Sequence, residues 1–331
     1  MIEIDGSYGE GGGQIIRTVV ALSAITGKPC VIKNIRSGRP NPGLQAQHLE
    51  AVKAVAKLCN GNTDAKLGAT DVTFEPDRIE GGHFNINIGT AGAISLIIQA
   101  VSLPAIHAES PVNLRIVGGT HVRWSPSMDY MQNIFCYYMK KLGIDFIIDV
   151  EKHGFFPKGG GRVTMQVTPC NPGEIELTET GKLVETQVFS IATEDLRSRE
   201  VAERQITGVE RFVAVSKKSV KYVQAESTGS AVHVQRVYEN CILGASGVGD
   251  KNVSAIAVGE AAGHELKNQS GCVDKHMTDQ LLPFLAFAPG SRIQVSEITE
   301  HARTNIWAIE QFLPVKFIID EKKKIISVDK K

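Results

Sequence analysis

Apolar residues along the chain recur in two alternating patterns. Residues 2–5 form a short strand-like run, residues 6–13 are rich in glycine, and over residues 15–25 apolar side chains return every three or four positions. The last spacing predicts a helix with one wide buried face. Strand, loop and helix then follow in the same order in residues 30–58. The pattern therefore predicts a repeating unit of these elements.

The unit recurs later in the chain, with a different segment before its last copy. We predict these further elements: strand 84–88, helix 93–103, strand 113–117, a helix from Ser125-Pro126 to Met139, helix 275–288, strand 292–298, helix 303–311, and strands 314–319 and 325–329. Residues 180–271 read instead as strand, helix, two strands and helix. This order predicts an α/β (α+β) fold in which a small α/β domain, residues 180–271, is inserted into a large three-unit domain, residues 1–179 and 272–331.

Composition and charge narrow the classes of function. The 331 residues include 36 basic and 36 acidic side chains, so the formal net charge is zero. A protein that coats nucleic acid usually carries a basic excess, because neutralising phosphates supplies most of the non-specific affinity. If RNA is a ligand, we expect a small, local contact at an end.

Cysteine spacing and apolar runs indicate the cellular location of the protein. The six cysteines form no C-x-x-C pair, which speaks against a zinc site and is typical of reduced thiols. Residues 1–5 have neither the basic nor the apolar region of a signal peptide. The most apolar stretch, residues 91–108, contains Gln99 and Pro104, so we expect a buried helix and no membrane span. These features predict a cytoplasmic location.

The glycine-rich loop, residues 6–13, is the first candidate site. Glycines between a strand and a helix let backbone N–H groups approach an anion at the helix N-terminus. The loop matches neither the Walker pattern nor G-x-G-x-x-G, and a plain tight turn explains its glycines about as well. Glu10 is the unusual member, because a carboxylate there would repel a phosphate unless a divalent metal joined the two.

The loop at residues 36–43 is the second candidate. Arg36 and Arg39 lie on this proline-containing loop directly before a helix. Two guanidinium groups held this way could clamp a terminal phosphate, and Arg17 on the first helix could join them. The alternative is a solvated loop without a ligand.

Two histidine-containing segments complete the candidates. His276, Asp279 and Gln280 share one helix face by spacing, and they could grip a base and ribose or form only a polar stripe. His301 lies where a strand gives way to a helix. A helix N-terminus favours a neutral, nucleophilic ring and can hold a phosphate beside it. A capping or surface histidine is the alternative.

Short blocks along nearly the whole chain carry a recognisable pattern. They are Asp5-Gly6-Ser7, Gly9-Glu10-Gly11-Gly12-Gly13-Gln14-Ile15, Arg17, Ile35-Arg36, Gly38-Arg39, Pro42-Gly43-Leu44, Gln47-His48-Leu49, Gly89, Ala91-Gly92, Gln99, Gly118-Gly119-Thr120, His153-Gly154-Phe155, Pro157, Gly159-Gly160-Gly161, Asp279-Gln280-Leu281, His301, Thr304-Asn305-Ile306 and Phe312-Leu313-Pro314-Val315. In this order the blocks resemble the RNA 3′-terminal phosphate cyclase family, in its true cyclase branch.

The resemblance implies a fold and a reaction. The fold is three repeated units of two helices over a four-stranded sheet, with a small α/β domain inserted. The reaction consumes ATP: His301 would attack the α-phosphorus to give a covalent histidyl-AMP and release pyrophosphate. AMP would then pass to an RNA 3′-phosphate, and the neighbouring O2′ would close the 2′,3′-cyclic phosphate and expel AMP.

The resemblance also implies site residues and partners. It assigns to the nucleotide site Gln99, Pro126, His276, Met277, Thr278, Asp279 and Gln280. It assigns to the RNA phosphate Arg17, Arg36, Arg39, Gln47 and His48. Glu10 would hold Mg²⁺ or Mn²⁺, and the partner is an RNA 3′-phosphate end. The oligomeric state stays open, with a homodimer as one candidate.

Four positions depart from the family pattern. His276 stands where many members have tyrosine, and we expect its imidazole to stack on adenine as well. His121 replaces a usual aspartate and Arg123 a common proline, so substrate contacts at this loop are in question. Ala302 replaces a leucine, which we expect to affect packing more than chemistry.

Three other functions compete with this one. The cyclase-like branch of the family acts in ribosomal RNA processing and lacks the nucleophilic histidine; His301 and the pair Asp279-Gln280 favour the enzyme. An enolpyruvyl transferase, which also repeats helix-over-sheet units, would bind phosphoenolpyruvate and form no covalent nucleotide. A simple RNA-binding module fits a zero net charge and 6% aromatic residues least well.

Overall fold

The computed structural model describes residues 1–331 and contains three four-stranded sheets with one shared strand order, plus a fourth sheet of different order. In each of the three, the first two strands are parallel neighbours, the fourth pairs antiparallel with the second, and the third lies at the edge. The strands are β1 (Ile2–Asp5), β2 (Cys30–Lys33), β3 (Asn62–Thr63), β4 (Val72–Glu75), β5 (Gly82–Asn87), β6 (Val112–Gly118), β7 (Phe146–Lys152), β8 (Gly161–Val167), β9 (Glu176–Leu177), β10 (Leu183–Thr193), β11 (Lys217–Val223), β12 (Ser230–Tyr238), β13 (Ile242–Val248), β14 (Arg292–Gln294), β15 (Val315–Asp320) and β16 (Ile325–Lys330).

Helices connect these strands and carry the loops that matter for the site. They are α1 (Gly13–Thr26), α2 (Ala46–Leu58), α3 (Ile94–Ile106), α4 (Met128–Tyr130), α5 (Cys136–Lys141), α6 (Val201–Glu210), α7 (Ala255–Lys267), α8 (Lys275–Leu285) and α9 (Glu300–Phe312). A π-helical turn, Met131–Phe135, joins α4 and α5 into one rod. The sheets β1-β2-β4-β3, β5-β6-β8-β7 and β9-β14-β16-β15, each with two helical connections, confirm the predicted three repeated units.

Side-chain caps fix where the two helices of the third unit begin. The Thr299 hydroxyl accepts a hydrogen bond from the Ala302 amide at 3.1 Å, so α9 starts directly before His301. The Asp274 carboxylate accepts bonds from the amides of His276 and Met277, which starts α8. Each cap satisfies amides that the first helical turn leaves without an internal partner.

One hydrophobic core of 73 buried residues joins the three units. Helix α3 lies at its centre, in contact with α1, α2 and α8, and it buries every residue except Gln99. A continuous core of this kind holds the helices of different units in a fixed relation. Loops of the first unit are therefore held at fixed positions against helices of the third.

The segment between β9 and α8 forms a fourth sheet, of order β11-β10-β12-β13, with α6 and α7 against it. It has its own core of 11 buried residues. The sequence predicted two later strands here, and the structure has three, because the small-residue run Ile242–Val248 is also a strand. The third unit begins with β9, before this segment, and not after it as expected. The domain boundaries at residues 179–180 and 271–272 stay a prediction.

No helix in the structure is both long enough and apolar enough to cross a lipid bilayer.

Candidate active site

His301 and Glu10 meet where the glycine loop of the first unit touches α9 of the third. The His301 Nε2 lies 3.2 Å from a carboxylate oxygen of Glu10. A guanidinium nitrogen of Arg39 lies 3.3 Å from the same oxygen. Gly12, the residue directly before α1, lies against both the His301 ring and the Arg39 guanidinium. Three residues that are distant in sequence, each a predicted site residue, thus share one contact.

The backbone of the glycine loop explains this approach. Gly9 has a φ of 58°, a left-handed conformation that glycine adopts without strain, and a Cβ at this position would overlap the Thr304 hydroxyl. Beside it, the rings of Tyr8 and Trp307 stack with centroids 4.0 Å apart. The loop therefore lies flat on α9, and Glu10 is aimed at His301.

Three buried or partly buried hydrogen bonds fix α9 against α1 and α8. The Gln14 side chain donates to the His301 carbonyl at 3.1 Å. The Thr18 hydroxyl donates to the Asn305 side-chain oxygen at 2.8 Å, and the Asn305 side-chain Nδ2 donates to the backbone carbonyl of Asp279 at 2.7 Å. Sequence reasoning gave Gln14, Thr18 and Asn305 no role. Gln14 and Asn305 lay in blocks that match the family, but no spacing showed that they join these helices.

Arg17, Arg36 and Arg39 gather at the N-terminal ends of α1 and α2. Arg17 and Arg36 have no carboxylate within ion-pair distance, and Arg36 donates only to the Asn41 carbonyl at 3.3 Å. Burial lowers the pKa of Arg36, with the neighbouring Arg39 adding to the effect. Burial also lowers the pKa of Arg17 to about 10, while Asp279 acts in the opposite direction. Because guanidinium groups carry a fixed positive charge in proteins, this corner has a surplus of positive charge suited to an anion.

His48 lies beneath the arginines and serves the structure. Its ring packs on Gly13, where a Cβ would overlap it, and its Nδ1 accepts a bond from the Gln45 amide at 3.2 Å. Burial, together with the charges of Arg17 and Arg36, lowers the pKa of His48 to about 3. The ring is therefore neutral in the folded protein, and it shapes the floor of the arginine corner.

A small cleft next to the arginine corner runs between α1, α3, α8 and α9. Its lining combines four of the predicted residues with other polar and apolar side chains: Gln14, Arg17, Thr18, Ala21, Gln99, Leu103, Phe135, Asp279, Gln280, Pro283, Phe284 and Asn305. Burial raises the pKa of Asp279 to about 6, against the effects of His301, His276 and Arg17. Polar groups that converge at an apolar-walled cleft are typical of a small-molecule site.

Unpartnered polar atoms concentrate here. The structure has eight buried side-chain nitrogen or oxygen atoms without a hydrogen-bond partner, and five of them belong to this region. The five are on Gln14, Arg36, Arg39, Gln280 and Thr304. Buried polar groups are rarely left unpaired unless a ligand or water completes them. Their concentration points to a polar ligand.

Other predicted residues lie at the margin of this region. His276 is exposed, and its Nε2 lies 2.8 Å from Glu265 of α7. Half of its side chain still lies against the protein, and this partial burial acts to lower its pKa, but the carboxylates of Glu265 and Asp274 outweigh that effect and raise it. Gln47 lies against Gly92 of the loop before α3. Pro126 precedes the start of α4, outside the lining of the cleft.

The side chains of Met277 and Thr278 point away from the cleft. Both are fully buried, and the Thr278 hydroxyl donates to the Asp274 carbonyl at 2.9 Å. A contact with nucleotide is therefore open only to their backbone groups.

The loop that departs from the family pattern is held by internal pairs. His121 is buried and lies 2.9 Å from Asp129, and Arg123 lies 3.0 Å from Asp250. Burial acts to raise the pKa of Asp129, but the contact with His121 outweighs this effect and lowers the pKa to about 2. Ala302 is fully buried, as expected for a packing position.

The side chains alone do not build a complete metal cage. No group of three His, Cys, Asp or Glu side chains is arranged to hold a metal ion. Glu10 is the one carboxylate in contact with His301. Mg²⁺ at phosphate-transfer sites is commonly held by one or two carboxylates, waters and the substrate phosphates, so a single carboxylate fits such an ion.

Fold and site together define a protein that handles phosphate groups, with a histidine at a helix N-terminus beside surplus arginines and a polar cleft. The family model described as RNA 3′-terminal phosphate cyclase matches residues 8–319. The chain belongs to this family.

Curated relatives agree with this assignment over their whole length. The chain is similar to the RNA 3′-terminal phosphate cyclase of Pyrococcus furiosus, with 41% identity over 100% of this chain and 99% of the relative. It is similar to that of Methanosarcina barkeri, with 39% identity over 99% of each chain. It is also similar to that of Pyrococcus abyssi, with 42% identity over 97% of this chain and 95% of the relative. The resemblance found in the sequence motifs is confirmed.

Proposed function

We propose that this protein is an ATP-dependent RNA 3′-terminal phosphate cyclase that works through AMP bound covalently to His301. It converts an RNA 3′-phosphate into a 2′,3′-cyclic phosphate. The family and the names of the relatives support the overall conversion. The covalent step rests on the placement of His301.

In the first step the Nε2 of His301 attacks the α-phosphorus of ATP. A P–N bond forms, the bond from the α-phosphorus to the bridging oxygen breaks, and pyrophosphate leaves. In the structure Nε2 lies beside Glu10, so this contact must open as the phosphates arrive. The N-terminus of α9 favours the negative charge that gathers beside the ring.

In the second step an oxygen of the RNA 3′-phosphate attacks the phosphorus of the adenylyl group. The P–N bond breaks, and RNA-(3′)pp(5′)A forms. The ribose O2′ then attacks the 3′-phosphorus, loses its proton and displaces AMP. Activation is necessary because an unmodified phosphate monoester offers only a very poor leaving group. Proximity favours the last step, since O2′ is already beside the phosphorus.

The site divides between the two substrates. Arg17, Arg36 and Arg39 would take the RNA phosphate, with His48 forming the floor of the corner and Gln47 of α2 at its margin. The cleft residues Gln99, Asp279 and Gln280 would take the nucleotide, with His276, Pro126 and the backbone of Met277 and Thr278 at its margin. The surplus of positive charge and the unpartnered atoms of Arg36, Arg39 and Gln280 support this division.

Glu10 fits a divalent cation, Mg²⁺ or Mn²⁺, that would neutralise charge on the phosphates. Its carboxylate already contacts two groups that would take part in the reaction, the His301 ring and the Arg39 guanidinium. Glu10 would position the divalent cation, while Arg39 would stay bound to the RNA phosphate. RNA processing in the cytoplasm is the setting that this proposal implies.

The observation that carries the proposal is the contact of His301 with Glu10 beside the arginine corner. Its test is incubation of the protein with ATP labelled at the α-phosphate and a divalent metal. We expect label that stays on the denatured protein, is released by acid and is absent from His301→Ala. His83→Ala, which removes an exposed histidine on β5, is the matched control and should label normally.

Two further outcomes separate the rivals. An absence of label on the wild-type protein would contradict the cyclase proposal and would fit an enolpyruvyl transferase or a non-nucleotidylating relative. Glu10→Ala should label more slowly and lose most of its metal dependence. Unchanged metal dependence would assign Glu10 a structural role.

A further inference from the structure

Trp124 is an anomaly of the second unit. Its side chain is 95% exposed, and its backbone has a φ of 66°. A bulky residue in the left-handed region is uncommon and strained, and such strain tends to persist at functional sites. The indole gains nothing from burial at this position. Something other than folding accounts for its presence.

The loop that carries Trp124 is held firmly at several points. Arg123 pairs with Asp250 at 3.0 Å, and the Ser125 hydroxyl donates to the Val122 carbonyl at 2.8 Å. Thr120 exchanges hydrogen bonds with Gly154 of the neighbouring loop. The indole is thus presented by a fixed backbone, so little ordering entropy opposes binding of a partner.

Two adjoining loops present further exposed apolar side chains. Phe156 is 73% exposed and follows Phe155, which forms a β-bridge with His121 of the Trp124 loop. Val253 is 42% exposed and lies on the loop that holds Asp250. Loops 119–126, 153–160 and 249–254 are therefore joined, and we call the exposed side chains that they carry the aromatic surface.

The charge of the aromatic surface is basic. Its three loops carry Arg123, Lys158 and Lys251 and a single acidic residue, Asp250, which pairs with Arg123. Glu226, whose carboxylate lies against Gly160, pairs with Lys152, so Lys158 and Lys251 supply the remaining positive charge. Exposed rings set among basic side chains are the combination that binds single-stranded nucleic acid without regard to sequence. Every base offers a face for stacking, and each phosphate attracts a cation.

We propose that the aromatic surface binds the single-stranded RNA upstream of the terminal phosphate, with Trp124 and Phe156 as stacking residues. This inference rests on the proposed function for the identity of the ligand. The arginine corner can hold one terminal phosphate group, whereas the aromatic surface supplies affinity for the nucleotides that precede it. A second copy of this chain is the competing occupant, and the basic charge argues against it, since like charges would meet.

Tryptophan fluorescence tests the binding directly. The chain has two tryptophans, so Trp307→Phe leaves Trp124 as the only indole and keeps a ring to stack on Tyr8. We expect a single-stranded oligouridylate with a 3′-hydroxyl end to quench this fluorescence and a duplex RNA of equal length to quench it much less. This probe cannot be cyclised, so the result does not depend on catalysis. An absence of quenching with the single strand would overturn the proposal.

Kinetics provide the second measurement. Trp124→Ala should raise the KM for a 3′-phosphorylated oligonucleotide by about tenfold, and Trp124→Tyr should restore most of the loss, because a stacked base contributes a factor of about this size. The rise in RNA KM should exceed any change in the rate of histidine adenylation. Ile318→Ala, an exposed apolar residue on β15, is the control and should leave the KM unchanged.

The two proposals fail in different ways. If the wild-type protein takes up no adenylyl label while the Trp307→Phe variant is quenched by single-stranded RNA, the histidyl-AMP chemistry is contradicted and the RNA surface is kept. Normal labelling with an unchanged KM in Trp124→Ala would overturn the RNA surface alone. A loss of dimer mass in Trp124→Ala, with RNA binding intact, would assign the surface to a second copy and would also overturn it.

Discussion

The first and second units have the same strand order, yet their equivalent loops carry different chemistry. In the first unit, the loop after the first strand holds Glu10, which contacts His301, and the loop after the second strand holds Arg39, which contacts the same Glu10 oxygen. In the second unit, the loop after the first strand is Gly89 to Gly92, which carries no charge. The loop after the second strand buries His121 and exposes Trp124.

What covers the loops accounts for this difference. Helix α9 of the third unit packs against α1, so the loops of the first unit face His301. The loop after the second strand of the second unit faces the inserted segment instead, through Arg123–Asp250 and a hydrogen bond between Ser127 and Ser246. Topology thus fixes where a loop lies, while the neighbouring segment determines which side chains the loop contacts.

Substitutions of two glycines in equivalent loops test whether the contact with α9 distinguishes the first unit from the second. Gly9 and Gly89 both have left-handed φ angles, 58° and 72°, but only a Cβ on Gly9 would overlap a neighbour, the Thr304 hydroxyl. Gly9→Ala should lower the free energy of unfolding by about 2–4 kcal/mol, because backbone strain and overpacking add. Gly89→Ala should lose only about 1–2 kcal/mol. Urea unfolding measures both, and equal losses would show that the contact with α9 is unimportant.

Arginine substitutions test whether the charge surplus is specific to the first unit. Arg36→Ala should raise the KM for RNA 3′-phosphate about 10- to 100-fold, since it removes charge-assisted hydrogen bonds to the phosphate. Arg36→Lys should recover part of the loss, because it restores the charge without the planar fork. Arg162→Ala, which removes a paired arginine of the second unit, should change the KM little. Equal effects at both positions would argue for general electrostatic attraction.

Buried histidines sharpen the comparison through pH. The pKa of His48 is lowered to about 3 by burial and two arginines, so between that value and the unfolded value of about 6.5 the unfolded chain binds more protons. Stability from this group is therefore complete above about pH 6.5 and falls by up to about 1.4 kcal/mol per pH unit below it. Urea midpoints at about pH 7 and about pH 5.5 should show a smaller loss in His48→Gln than in wild type.

The comparable substitution of a partly buried histidine in the second unit is His153→Gln. Burial and nearby cations lower the pKa of His153 to about 4, so the sign is the same. Its side chain is less buried than that of His48, so solvent weakens the effect. We therefore expect His153→Gln to reduce the pH dependence of the urea midpoint less than His48→Gln does. The opposite result would reverse this ranking of the two histidines.

Sequence reasoning predicted the elements with clear periodicity and missed those without it. The apolar spacing in residues 15–25 gave α1 within two residues at its N-terminal end. Strand β9 has only two residues, and β13 is a run of small residues, so neither shows a strand pattern. The π-helical turn at Met131–Phe135 has no sequence signal, because it depends on how α4 meets its neighbours.

The site divides in the same way. The family blocks pointed to His301, Glu10 and the arginines, and the structure brings these together. The hydrogen-bond chain from Thr18 through Asn305 joins residues 287 positions apart, so no local spacing could reveal it. The exposure of Trp124 likewise depends on what the fold leaves uncovered. Sequence identifies chemical groups well, and it identifies their neighbours poorly.

The insertion between β9 and α8 also sets an order of assembly during synthesis. Strand β9 cannot pair with β14 until more than a hundred further residues have left the ribosome, since Glu176 pairs with Arg292. The first two units can form local contacts long before that, whereas His301 joins Glu10 only after the inserted segment has been made. Early exit of the loops and late arrival of His301 imply that a nascent chain forms its arginine corner before it forms the contact between His301 and Glu10.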